Sequence, residues 1–184
     1  AASPKGVYLY GGVGRGKTML MDLFACSVPS ESCQRFHFHD FMVEAHDVMT
    51  SCRQKGGDDP VAEAASLLAA GPKILCFDEM EVRDIADAMI LKRLFDALFA
   101  KGVTVAATSN RHPDELYLNG LHRDRFLPFI DQLKQACQVE AIADGQDWRT
   151  RLLAEMPRWF VPHNETTTSD MRHYFTRLAA GEAC

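Results

Sequence analysis

Long apolar runs are missing from this 184-residue chain, so the sequence predicts no membrane-spanning helix. An excess of basic residues is also missing: 20 lysines and arginines stand against 25 aspartates and glutamates, which gives a net charge of −5 and no overall footprint for nucleic acid. The six cysteines form no Cys-x-x-Cys pair, which favours buried free thiols in a reducing compartment. Internal repeats and low-complexity segments are absent too.

A glycine-rich stretch near the start of the chain carries the strongest signal. Residues 11–18 match the phosphate-binding pattern of glycine, four residues, glycine, lysine and serine or threonine. Glycines let the backbone turn tightly and direct its N–H groups at phosphate oxygens. Lys17 is predicted to bind the β- and γ-phosphates, and the Thr18 hydroxyl to bind Mg²⁺. The predicted nucleotide-binding residues are Gly11, Gly12, Val13, Gly14, Arg15, Gly16, Lys17 and Thr18.

Alternating segments predict the fold around this loop. A short strand over residues 7–10 precedes it and a helix over 18–24 follows it, which is the context that the motif requires. Further strands are predicted at 34–39, 74–77, 103–108 and 138–143, with helices at 40–53, 61–70, 85–100 and 123–137 and a helical turn at 114–118. This alternation indicates an α/β fold with a central parallel sheet and helices on both faces. A last helix is predicted from Ser169 to Ala180, with Ser169 and Asp170 at its N-cap.

Polar side chains follow two of the predicted strands. Asp78 and Glu79 come directly after one apolar run, and Asn110 follows another. Ligands of parallel sheets bind beyond the carboxyl ends of the strands. Asp78 is predicted to hold Mg²⁺ through its waters, Glu79 to activate the attacking water, and Asn110 to orient that water. The alternative for each is a solvated residue at a strand end, and only the phosphate loop favours the catalytic interpretation.

Two arginines and a histidine pair are weaker candidates. Arg123 and Arg125 could reach the γ-phosphate of a neighbouring subunit, although spacing alone favours a solvated arginine at a helix start, paired with Asp124 or Asp131. His37 and His39, two apart on a predicted strand, would share one face. A metal site there is conceivable, but a packed or hydrogen-bonded structural role is favoured.

Several of these segments together resemble the AFG-one-like ATPases, which are AAA+ type P-loop proteins. The similar stretches lie at residues 6–24, 36–42 with His46, 76–79, 84–89, 107–117, 119–123 and 126–130, and Asp147-Trp148-Arg149 is similar to the family's Asp-Tyr-Arg. The resemblance covers about residues 6 to 150.

The resemblance implies a role for each matched residue. Lys17 and Thr18 fall on the Walker A positions, Asp78 and Glu79 on the Walker B pair, and Asn110 on the first sensor position. The family's Gly-Leu-Gln-Arg segment falls on residues 120–123, which raises Arg123 above Arg125 as the candidate arginine finger. The implied fold is a three-layer αβα sandwich, the implied ligands are ATP and Mg²⁺, and the implied assembly is a ring, a hexamer by family expectation, that works on protein clients in protein quality control.

The resemblance also implies a domain organisation. We expect residues 1–143 to form the ATPase core and residues 144–184 to form a C-terminal extension that leads towards a lid region. That lid, with its second sensor arginine, is expected to be missing from this chain, which would then be a fragment. The expected location is mitochondrial for a eukaryotic source and the cytoplasm for a bacterial one.

The leading hypothesis is therefore an ATP hydrolase that drives conformational work on proteins. A small-molecule P-loop kinase would need an acceptor pocket and an arginine-bearing lid, for which the sequence offers no clear candidate. A helicase-loader type of ATPase would share the core design, and the acidic balance makes nucleic acid an unlikely partner. A nucleotide-dependent adaptor with little hydrolysis is the fourth alternative.

Overall fold

A computed structural model describes residues 4–142, 161 and 164–179 of the chain. The chain divides into two compact units, Ala1–Asp144 and Gly145–Cys184. The assignment of residues 144–184 to an extension that leads towards a lid stays a prediction, and the Asp147-Trp148-Arg149 segment lies outside the described residues.

Strands and helices alternate in the first unit, as the apolar pattern predicts. Its elements in chain order are β1 (Gly6–Tyr10), α1 (Lys17–Ser27), β2 (Cys33–His37), α2 (Phe38–Gln54), α3 (Pro60–Leu68), β3 (Ile74–Asp78), α4 (Ile85–Ala100), β4 (Thr104–Ser109), α5 (Arg123–Ala136) and β5 (Cys137–Ala141). Short 3₁₀ helices cover Ser30–Ser32 and Pro113–Glu115. The second unit contains α6 (Glu165–Ala179).

The five strands form one parallel sheet in the order β2-β3-β4-β1-β5, which confirms the predicted sheet. From β1 the chain steps across the sheet to β2 at one edge, and from there it moves back in the opposite direction to β5. Because connections between parallel strands are right-handed, α1 must cover one face and the later helices the other. The predicted three layers follow from this path.

Alternating strand residues separate the core into two clusters. Leu75 and Phe77 pack on the face covered by α2 to α5, where the aromatic ring of Phe77 lies 4.7 Å from that of Phe41. Cys76 points to the opposite face and packs with Met21 of α1 and with Ala106. Strands that are buried on both faces read as continuous apolar runs, which is why residues 74–77 and 103–108 were recognisable in the sequence.

Several predicted boundaries are wrong, and two of them have a clear physical reason. The strand predicted to reach His39 ends at His37, because Phe38 begins α2 and is buried with Phe41 and Met42 along one face of that helix. The last helix begins at Glu165 instead of Ser169. The Asn164 side chain accepts a hydrogen bond from the Thr167 N–H at 2.9 Å and so caps this helix in place of Ser169 and Asp170. Strand β5 ends at Ala141, before the predicted end at residue 143, and α3 ends at Leu68, before the predicted end at residue 70. Residue 180, the predicted end of the last helix, lies outside the described residues.

Five cysteines of the described part of the chain have free thiols, as predicted. Cys52, Cys76 and Cys137 are buried. Cys26 is exposed on α1, so the expectation of a buried thiol is wrong for this residue. None of the helices in the described ranges combines the length and the apolar character needed to cross a membrane.

Candidate functional site

The predicted phosphate loop connects β1 to α1 at the carboxyl edge of the sheet. Gly14 and Gly16 each have a φ of +79°, a left-handed conformation that glycine adopts at little cost. Gly16 is the N-cap of α1 and offers no side chain to the first N–H groups, and the first turn of α1 carries no acidic residue. Val13 is exposed, and the Arg15 side chain lies against the backbone of the loop. The helix start therefore favours an external anion.

Lys17 holds its charge directly over this loop. Its Nζ donates hydrogen bonds to the carbonyl oxygens of Gly11 and Gly12, both at 2.7 Å. Thr18, the next residue, is exposed in the first turn of α1. An ammonium group and a hydroxyl are thus presented at the helix start, which suits a ligand that carries phosphates and a hard cation.

The strand order brings the other predicted residues to the same edge. Tyr10, the last residue of β1, is in register with Ser109, the last residue of β4. Strand β3 runs beside β4 and ends at Asp78. Asn110 follows β4 directly and is exposed. The loop, Asp78 and Asn110 therefore lie at the ends of three adjacent parallel strands, as the sequence predicts.

Asp78 is a buried carboxylate with one bound and one unbound oxygen. Its Oδ2 accepts a hydrogen bond from Arg35 Nε at 2.5 Å, and Arg35 also pairs with Asp22 of α1. Its Oδ1 is buried and has no hydrogen-bond partner among the described residues. The hydrogen bond to Asp78 is the largest cause that raises the pKa of Arg35 above its usual value, so the guanidinium stays charged. A buried carboxylate oxygen without a partner is a group that a ligand can satisfy.

Glu79 is held in an unusual backbone conformation beside it. Its φ is +53°, one of four positive values at non-glycine residues in the described ranges. The Glu79 N–H donates to Thr108 Oγ1 at 3.2 Å, and the Met80 N–H donates to the Thr108 carbonyl at 2.7 Å. Ser109 Oγ donates to the Met80 carbonyl at 2.8 Å. These bonds to β4 stabilise a strained residue whose side chain is exposed, a combination often found at active sites.

The two candidate arginines differ in their surroundings. Arg123, the first residue of α5, donates from Nη2 to the Asp114 carbonyl at 2.5 Å, and its Nε is buried without a partner among the described residues. Asp114 also pairs with Lys134 at 2.8 Å. Arg125 is exposed. Within the described ranges, no hydrogen bond or ion pair joins either arginine to the phosphate loop.

The histidines do not form the shared face that the strand prediction suggested. His37 ends β2, whereas His39 lies in the first turn of α2. His46 Nε2 lies 2.8 Å from Asp87 Oδ1 and so links α2 to α4. The described ranges contain no group of three or more histidine, cysteine or acidic side chains that could hold a metal ion. His46 therefore has a hydrogen-bonded structural role, whereas His37 and His39 are exposed, so the favoured packed role does not apply to them.

A cavity of about 430 Å³ lies beside Asp78 and Glu79, between the end of β3 and the start of α2. Its lining is mostly acidic and includes both histidines: His37, Phe38, His39, Asp78, Glu79, Glu81, Arg83, Asp84 and Asp87. The sequence did not predict this cavity, because it depends on where α2 starts relative to the end of β3.

Sequence reasoning also missed Arg35 and Thr108, the residues that hold Asp78 and Glu79. Arg35 gave a weak signal, since a charged residue inside a predicted strand needs a partner when it is partly buried. Thr108 gave none, because a threonine at the end of a buried strand is ordinary.

Comparison with known proteins relates this chain to one family. The model of the AFG1-like ATPase family matches residues 1–184. The chain is 48% identical to cell division protein ZapE of Escherichia coli strain K12 over 178 residues, which are 97% of this chain and 47% of that protein. It is 44% identical to lactation elevated protein 1 homolog B of Danio rerio over 171 residues, 88% of this chain and 34% of that protein. The chain thus spans less than half the length of these relatives.

Solved structures with low sequence identity share the fold. Domain III of the Thermotoga maritima replication initiation protein DnaA matches with a TM-score of 0.57 at 16% identity, over 97% of this chain and 79% of that one. The DnaC helicase loader matches with a TM-score of 0.54 at 13% identity, over 77% of this chain and 80% of that one. AMPPCP-bound DnaA from Aquifex aeolicus has a TM-score of 0.54 at 15% identity, over 98% and 57%. These matches confirm the predicted P-loop fold of AAA+ type and show the fold alone.

Proposed function

This chain belongs to the AFG1-like ATPase family, and we propose that it binds ATP at residues 11–18 and hydrolyses it with Mg²⁺. One observation carries the proposal. The phosphate loop with Lys17 follows β1, and the buried carboxylate of Asp78 and the strained Glu79 stand at the end of β3, at the same edge of the sheet with only β4 between the two strands. Phosphate binding, metal binding and water activation need these three groups side by side.

The residues at this edge fit a magnesium ion. Thr18 offers an exposed hydroxyl, and Asp78 offers a buried carboxylate oxygen that has no partner in the described part of the chain. Mg²⁺ prefers hard oxygen ligands and keeps several of its waters, so one hydroxyl and one carboxylate form a suitable protein contribution. When bound, the metal would neutralise charge on the phosphates.

The remaining steps fall to side chains of this chain. Lys17 binds phosphate oxygens in place of the carbonyls of Gly11 and Gly12. Glu79 accepts a proton from the attacking water, and Asn110 orients that water by a hydrogen bond. The exposed position of both side chains leaves them accessible to water.

Phosphate release from ATP tests this assignment. Glu79→Gln should lower turnover by about 10²- to 10⁴-fold and leave ATP binding intact, because an amide cannot accept the proton. Glu81→Gln is the matched control, since Glu81 lies two residues away and pairs with Arg83. Lys17→Ala should lose ATP binding itself. Turnover at the wild-type rate in Glu79→Gln would contradict the role of Glu79.

We further propose that Arg123 acts on the nucleotide of a neighbouring copy in a ring. Its present bond to the Asp114 carbonyl must break first, whereas the described residues give exposed Arg125 no such bond. The support for Arg123 is its position in the family-like segment of residues 120–123. Mixing two inactive variants tests it: Arg123→Ala with Glu79→Gln should recover part of the activity, because one interface then contains both intact residues. Full activity of Arg123→Ala by itself, with an inactive Arg125→Ala that regains activity when mixed with Glu79→Gln, would assign the role to Arg125.

Conformational work on protein clients, assembly as a hexamer and a role in protein quality control are proposals that rest on the family resemblance. The location also stays a prediction, mitochondrial for a eukaryotic source and cytoplasmic for a bacterial one. Proteins that co-purify with Glu79→Gln in the presence of ATP, and not with Lys17→Ala, would identify clients. The mass of the complex with a non-hydrolysable ATP analogue would give the number of subunits.

A further inference from the structure

Arg35 connects three elements around the proposed magnesium site. It lies on the edge strand β2, donates from Nε to Asp78 Oδ2 at 2.5 Å on β3, and contacts Asp22 on α1 through Nη1. A guanidinium group can bind two carboxylates at once because its N–H groups form a rigid planar fork. The ammonium group of a lysine cannot reproduce that geometry.

The fold places these three side chains on one face of the sheet. Arg35 of β2 is in register with Cys76 of β3, so these two side chains point to the same side. Asp78 lies two residues after Cys76 on β3 and therefore points to that side as well. That side is covered by α1, because Cys76 packs against Met21. Asp22 follows Thr18 by four residues and therefore lies on the same side of α1.

Arg35 determines how Asp78 presents its carboxylate. The Asp78 side chain is only 8% exposed, and the Arg35 side chain is 28% exposed. One carboxylate oxygen is bound by Arg35, and the other has no partner among the described residues. A bound first oxygen fixes the orientation of the carboxylate, so that the second oxygen stays available in one position.

We propose that Arg35 is a positioning residue for magnesium, which holds Asp78 in place and ties it through Asp22 to the helix that carries Thr18. The inference rests on the proposed function in one respect, the assignment of Thr18 and Asp78 to the metal. The positive charge of Arg35 does not repel the cation overall, since the two aspartates leave the group of three with a net charge of −1. A group of net negative charge still attracts a cation.

Manganese binding measured by electron paramagnetic resonance tests the proposal without any turnover. Mn²⁺ replaces Mg²⁺ as the probe, with a non-hydrolysable ATP analogue present, and the affinity for the analogue alone is measured in EDTA. Arg35→Met should weaken Mn²⁺ binding by about 10- to 100-fold, the usual effect of losing a partner that orients a metal ligand. Affinity for the analogue in EDTA should not change. Arg93→Met is the matched control, because Arg93 pairs with Asp59 at 2.9 Å outside the site.

Arg35→Lys tests the role of Arg35 even if Arg35→Met does not fold. Lysine keeps the charge and loses the fork, so Mn²⁺ binding should weaken less than in Arg35→Met but measurably. Wild-type Mn²⁺ affinity in Arg35→Lys and Arg35→Met, or an equal loss of analogue binding in EDTA, would overturn the proposal. A wild-type chain that binds Mn²⁺ and nucleotide but releases no phosphate would contradict the proposed hydrolysis alone and leave the role of Arg35 testable.

Discussion

Replacing Thr108 by valine would separate the support of Glu79 from the catalytic group itself. The buried Thr108 hydroxyl accepts the Glu79 N–H at 3.2 Å, and valine has nearly the same shape without the acceptor. The left-handed Glu79 then loses one of the hydrogen bonds that stabilise its conformation. We expect the side chain to sample other positions and the turnover number to fall.

The size of the stability change follows from burial. An amide N–H that is left without an acceptor costs about 1 to 3 kcal/mol when buried, and this N–H is only partly buried, so we expect about 1 to 2 kcal/mol. In a chain of this length, that loss lowers the melting temperature by about 2 to 8 °C. Urea unfolding followed by far-ultraviolet circular dichroism gives the free energy of unfolding.

A second substitution on the same strand provides the control. Thr104 is half-buried at the start of β4, and its hydroxyl lies 3.5 Å from the Pro4 carbonyl, so Thr104→Val should change the free energy of unfolding by less than about 0.5 kcal/mol. Equal effects of Thr104→Val and Thr108→Val on both stability and turnover would refute the argument that Thr108 supports Glu79.

Two further predictions concern the fold around the site. Gly6→Ala should destabilise the chain by about 3 kcal/mol or more, because the added Cβ would lie 2.1 Å from the Val105 carbonyl oxygen. The control Gly71→Ala meets no atom within 4 Å and should change the free energy of unfolding by less than about 1 kcal/mol. Equal urea midpoints for the two variants would contradict this. Burial raises the pKa of Cys137 to about 12. The folded state therefore keeps the thiol proton at a pH at which the unfolded chain loses it, and the free energy of unfolding falls as the pH rises from about 9 towards 12. Cys137→Ala should therefore reduce the alkaline decline in stability, by at most about 1.4 kcal/mol per pH unit, and an unchanged slope of unfolding free energy against pH would exclude this contribution.

Much of the fold was predictable because its signals are short in range. The helix over residues 85–100 was predicted with the bounds that α4 has, since its apolar spacing and the glycine at position 102 lie within one segment. The helix start at Phe38 was not predicted. A phenylalanine fits a strand and a helix equally well, and the packing of α2 on the core decides between them.

The site was predictable to the extent that it follows strand ends. Apolar runs that end in Asp78, Glu79 and Asn110 identified these residues, because parallel strands bring their carboxyl ends to one edge. The roles of these residues stay predictions. Their partners were hidden: Arg35 is 43 residues from Asp78 in sequence, and Thr108 is 29 residues from Glu79.

The sequence by itself determined the phosphate loop, because all of its chemistry lies in eight consecutive residues whose glycines and helix start act locally. The tertiary structure alone decided what surrounds the loop. The strand order β2-β3-β4-β1-β5 sets β4 beside β1 and β3 beside β4, and the register of β2 on β3 brings Arg35 to Asp78. Pairing between distant strands depends on the packing of the whole sheet, so no local pattern in the sequence could specify which oxygen of Asp78 is bound and which is available.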